Sequence, residues 1–93
     1  MQIIVRSRAE NLVEGWQDGA ESVNLAASYA RYLELIEAAL QARFPAADVE
    51  TRPGESGVNV YSGDGETWHG RETEVAREVL REVYDAQGWL VMR

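Results

Sequence analysis

Hydrophobic residues change their spacing several times along this chain, and each change predicts an element. At the amino end Ile3, Ile4 and Val5 are contiguous within Gln2 to Arg6. A run without alternation predicts a central strand covered on both faces. From Ser7 to Val23 the pattern dissolves into turn formers (Asn11, Gly15, Asp18, Gly19) interrupted by apolar Leu12, Val13 and Trp16. A structureless connection of that length is uncommon inside a compact domain, so the segment is expected to hold a short helix or hairpin, or to serve a function.

A helical period then takes over from Leu25 to Phe44, with Asn24 or Ser22 available as its cap. Tyr29, Leu33, Ile36, Leu40 and Phe44 recur on one face and form the expected core stripe. A second row, Tyr32, Leu35, Ala39 and Ala42, lies about 100° round the helix. It requires cover from the 7 to 23 segment or from a second copy of the chain, and the segment is favoured because it must pack somewhere. Arg31, Glu34, Glu37 and Gln41 mark the solvent side, and Pro45 disfavours helical geometry at the residue before it.

Beyond Pro45 two strand-like runs, Asp48 to Arg52 and Gly57 to Ser62, flank the turn Pro53-Gly54-Glu55-Ser56 and predict a hairpin. Alternation puts Val49, Thr51, Val58 and Val60 inward and leaves Asp48, Glu50, Asn59 and Tyr61 on the other face. Gly63 to Gly70 reads as a loop. A second helix is expected from Arg71 to Gln87, with Val75, Ala76, Val79, Leu80 and Val83 inward and Gly88 as its stop. Trp89-Leu90-Val91-Met92 would close the chain as a strand. The order strand, helix, strand, strand, helix, strand predicts a ferredoxin-like split βαβ fold of the α+β class, a four-stranded antiparallel sheet with two helices on one face.

Ninety-three residues, 45% of them hydrophobic, make one domain over residues 1–93 with enough apolar volume for a core. Without cysteine there are no disulfides, thiolate metal ligands or cysteine nucleophiles. The first residues read as a strand rather than a signal peptide, and no run approaches membrane-spanning length, so the cytoplasm is the default expectation. Charge narrows the partners further. Sixteen carboxylates oppose nine basic residues, all arginine, for a net charge of -7. Such a chain repels polyanions at long range, so direct nucleic-acid binding is not expected. Arginine in place of lysine fits GC-rich codon usage as well as any functional demand.

Candidate chemistry is sparse. His69, the single histidine, lies near Asp64 and Glu66, the residue types of an oriented general base, but no nucleophile accompanies it in a known pattern. Asp64-Gly65-Glu66 lacks the repeated acids of a calcium loop, and Gly63, Gly65 and Gly70 lack the Lys-Ser/Thr ending of a phosphate loop. The strand Gly57 to Tyr61 carries one aromatic and no basic residue, unlike an RNA-recognition strand. Neither a catalytic residue nor a cofactor or metal ligand is therefore assigned. On the second helix Glu72, Glu74, Glu78, Glu82 and Asp85 are offset by Arg77 and Arg81, with Arg81 and Asp85 a natural pair.

What remains is an excess of acid between Ala46 and Glu74, where Asp48, Glu50, Glu55, Asp64, Glu66, Glu72 and Glu74 face only Arg52 and Arg71. Asp48, Glu50, Glu55, Tyr61, Asp64, Glu66 and Trp68 are the expected partner-binding residues, with the aromatics as anchors. Trp16 and Trp68 are each either a lid on the core or such an anchor. The expected function is a non-catalytic protein-protein interaction domain, monomeric or homodimeric, whose partner carries a basic surface. In size and charge the chain resembles small acidic phage-encoded inhibitors, some anti-CRISPR proteins among them. That resemblance implies occupation of a partner's basic nucleic-acid-binding groove by charge mimicry. A homo-oligomeric structural or small-ligand-binding domain is the first alternative, and a small enzyme centred on His69 the second.

Overall fold

A computed structural model describes residues 1–93 as an α+β chain with two helices and a three-stranded mixed sheet. Strand β1 (Gln2–Ser7) leads through two short 3-10 turns, Ala9–Val13 and Ala20–Ser22, into helix α1 (Leu25–Arg43). Strands β2 (Asp48–Pro53) and β3 (Gly57–Tyr61) follow, then helix α2 (Gly70–Ala86). The sheet order is β2-β1-β3, with β1 parallel to β2 and antiparallel to β3.

This order corrects the expected hairpin. Helix α1 is a crossover that returns β2 to lie parallel beside β1, as a βαβ unit does. The chain then steps over the carboxyl end of β1 and descends on its far side as β3. Pro53 and Gly54 make the step: Gly54 has φ 151°, and its amide donates to the Ser7 carbonyl at 3.3 Å. The predicted inward set holds in part, because Ile3 is in register with both Val49 and Val60, and Val5 with both Thr51 and Val58; Val58 and Val60 are buried and Val49 is half-buried, but Thr51 on the edge strand is exposed.

The fourth strand is absent, so the four-stranded antiparallel sheet is not formed. Trp89 is fully buried; its Nε1 donates to the Tyr84 carbonyl at 3.0 Å and its ring stacks on Tyr84 at 5.3 Å. Tyr32 meets it edge-on at 6.4 Å and Trp16 at 6.5 Å. Burying so large a side chain draws the terminus into the core beside α1 rather than along the sheet. Val91 exchanges hydrogen bonds with the Ser28 hydroxyl and accepts from the Asn24 amide at 2.8 Å, leaving Val23 and Met92 as a single bridge.

The core line of α1 also differs from expectation. Ser28, Tyr32, Ile36 and Leu40 are its buried residues, one turn apart, so Tyr32 is central rather than part of a second row. Tyr29, Leu33, Leu35 and Phe44 flank the line half-buried. Cover comes from Leu12 in the first 3-10 turn and from Gly88 and Trp89. Asn24 is the cap: its Oδ1 accepts from the Ala27 amide at 3.1 Å. At the other helix the stop is Gln87, at φ 54°, one residue before the expected glycine. Strand β1 is central, but only Ile3 and Val5 are fully covered; Ile4 lies half-buried on the second face, which carries no helix.

Candidate functional site

Register fixes what the uncovered sheet face presents. Ile3, Val5, Val58 and Val60 are buried toward the helices, so the alternating residues point the other way. Across that face Gln2 lies between Asp48 and Tyr61, Ile4 between Glu50 and Asn59, and Arg6 between Arg52 and Gly57. One end is acidic and aromatic and the other is basic. Glu50 is tied to Arg52 by an ion pair at 2.9 Å, a half-exposed contact of little energy.

The loop after β3 extends the acidic end. The Ser62 amide donates to the Thr67 carbonyl at 2.7 Å, and the Thr67 amide returns to the Ser62 hydroxyl at 3.1 Å. Asp64 accepts from the Ser62 hydroxyl and, at 3.0 Å, from the Glu66 amide. These bonds, the Ser62 hydroxyl first, hold the Asp64 carboxyl below the usual carboxylate range. It therefore stays ionised through the neutral range. Gly65 takes φ 79° at the tip and approaches the Gln2 side chain, keeping the loop beside the amino end of β1.

Trp68 is the exposed aromatic of this surface, at 57% exposure. It bridges back to Tyr61, its Nε1 donates to Asn59 Oδ1 at 3.2 Å, and its ring lies over Gly70, where an added Cβ would approach it to 3.3 Å. The indole is thus held in place without being buried, which costs a partner less side-chain entropy on binding.

Of the sequence-predicted residues, Asp48, Glu50, Tyr61, Asp64, Glu66 and Trp68 gather at one end of the sheet. Glu55 does not: it lies in the turn after β2, at the other end of that strand, roughly 17 Å away by strand rise. Ile4 joins them although its unalternating run predicts cover on both faces, and Asn59, which alternation places on this face, gains its role through the Trp68 contact. Trp16, the other candidate anchor, is a lid, half-buried against Trp89 with its Nε1 reaching the Tyr84 hydroxyl at 3.4 Å.

His69 occupies the cap position of α2. Its amide donates to the Val60 carbonyl at 2.8 Å, and its imidazole does not cap the helix. On α2 Arg81 pairs with Glu78 at 3.6 Å rather than with Asp85, and Arg77 pairs with Glu74. No helix is long and apolar enough to cross a membrane, and no group of three or more His, Asp or Glu is placed to hold a metal ion. No family model, curated protein or solved structure matches the chain.

Proposed function

We propose that this chain is a non-catalytic binding domain that uses the acidic, aromatic end of its uncovered sheet face to engage a basic surface on another protein. The observation that carries this reading is Trp68, more than half exposed yet fixed by Asn59, among Ile4 and Tyr61 and bordered by Asp48, Glu50, Asp64 and Glu66. Exposed Trp and Tyr at the centre of a polar rim are what energetic hot spots use. The surrounding carboxylates supply steering and select a cationic partner. A narrower form is inhibition, in which the carboxylates take the place of phosphates in a nucleic-acid-binding groove.

Charge reversal at Glu50, Asp64 and Glu66 together is expected to abolish capture of a partner from the native host, while reversal at Glu34, Glu37 and Glu82 together, all exposed on the helices, leaves it intact. Binding is expected to weaken steeply with added salt. Equal loss with either set of changes would point to net charge alone and contradict a localised face. A second reading has one observation in its favour. Strand β2 is an unpaired edge, and two copies related by a two-fold at Thr51 would set Glu50 against Arg52. A dimer whose mass in solution is unaffected by salt would support that reading.

A further inference from the structure

At the carboxyl end of β1, away from the acidic loop, lies a cavity of about 380 Å³. Its apolar lining is Leu12, Tyr32, Val58, Leu80 and Tyr84, while Arg8, Arg77 and Arg81 contribute to its wall and no Asp or Glu does. In a chain of net charge -7 this composition runs against the surrounding surface. Arg77 and Arg81 are one turn apart on α2, about 5–6 Å between Cβ atoms, and Arg8 comes from the end of β1. The exposed partners of Arg77 and Arg81, Glu74 and Glu78, stand outside the cavity. Exposed pairs of this kind are weak and readily exchanged. Arg8 has no carboxylate partner within ion-pair distance.

Polar groups in the wall divide into engaged and free. The Ser7 hydroxyl is 2.9 Å from that of Tyr29, the Tyr84 hydroxyl donates to the Leu12 carbonyl at 2.7 Å, and the Asn11 amide donates to Glu14 at 3.2 Å. Tyr32 is different: nine-tenths of it is buried, yet its hydroxyl makes no hydrogen bond within the protein and is not sealed from solvent. The Ser56 hydroxyl is likewise uncommitted. An apolar floor, two free hydroxyls and a cationic rim match a definite ligand chemistry.

The geometry points to a binding site for a small organic oxyanion, an apolar body seated on Leu12, Tyr32, Val58 and Leu80 with its carboxylate or phosphate held by Arg8, Arg77 and Arg81. The volume suits a compact ligand, being room for roughly a dozen water-sized groups. The net negative charge does not forbid it. At physiological ionic strength fields are screened over about 8 Å, so guanidinium groups in contact outweigh distant carboxylates. This site is separate from the acidic face and does not depend on the reading given to that face.

The test is a titration of the full-length protein followed by amide chemical shifts, using phenyl phosphate and phenylacetate as the two head-group arms. Benzyl alcohol and inorganic phosphate serve as the apolar-only and anion-only controls. At least one organic anion is expected to shift Arg8, Ser56, Gly57 and Val58 and to bind at least tenfold more tightly than either control. Arg77→Gln with Arg81→Gln should weaken it at least tenfold, whereas Arg71→Gln, the loss of one positive charge elsewhere on α2, should leave it within twofold. The arm that binds more tightly identifies the head group. Shifts confined to other residues, equal binding of benzyl alcohol, equal loss with Arg71→Gln, or no binding by either arm would overturn the proposal.

Discussion

The side chain on which the hydrophobic core depends most is Trp89, which is fully buried against Trp16, Tyr32 and Tyr84. Trp89→Ala is expected to cost about 3–5 kcal/mol through lost burial and the cavity left behind. Small domains hold only about 5–15 kcal/mol in all, so this variant should show a greatly lowered denaturation midpoint. Tyr32 gives a second expectation, in pH. Burial first, and then the Tyr29 and Tyr84 phenols, raise its pKa above the ordinary 10.0. The folded state thus favours the neutral phenol, and its contribution is complete below pH 10 and lost as pH rises through the higher folded value. Denaturant midpoints should fall as the pH rises above about 10, and fall less in Tyr32→Phe. Neither role was apparent residue by residue: Trp89 looked like the start of a strand, and Tyr32 like part of a second row.

Element by element, the helices were legible because α1 and α2 have long apolar periods and clear stops, Pro45 for one and Gln87-Gly88 for the other. The strands were legible as strands but not in their pairing. A hairpin and a crossover over β1 bury the same Val49, Val58 and Val60, so alternation does not distinguish them. Buried polar residues were also invisible to a hydrophobic pattern. Thr73 is fully buried because its hydroxyl accepts from the Val60 amide at 2.9 Å, tying α2 to the outer edge of β3, and Ser28 does the same for the carboxyl segment. The crossover makes its own demand at Gly54, whose φ of 151° other residues rarely adopt. Gly54→Ala is expected to destabilise by about 1–3 kcal/mol; an unchanged midpoint in denaturant would mean the step is built differently.

For the molecule as a whole, the sequence showed where acid accumulates but not how the fold sorts it. The chain is elongated, 42 × 22 × 18 Å, with a radius of gyration of 13.7 Å against the roughly 12 Å typical of its length. Along the sheet the carboxylates of Asp48, Asp64 and Glu66 gather near the amino end of β1. Arg6, Arg8 and Arg52, with Arg77 and Arg81 from α2, gather toward the carboxyl end. Two distinct surfaces result, and the acidic one carries Trp68. The central claim is that this indole anchors a cationic protein partner, and it is tested most directly by the partner's affinity for Trp68→Ala. Because the side chain is mostly exposed, the variant should keep its stability to within about 1.5 kcal/mol while binding weakens by about 2 kcal/mol or more, roughly thirtyfold. Binding within twofold of the unaltered protein, with the fold intact, would contradict the account.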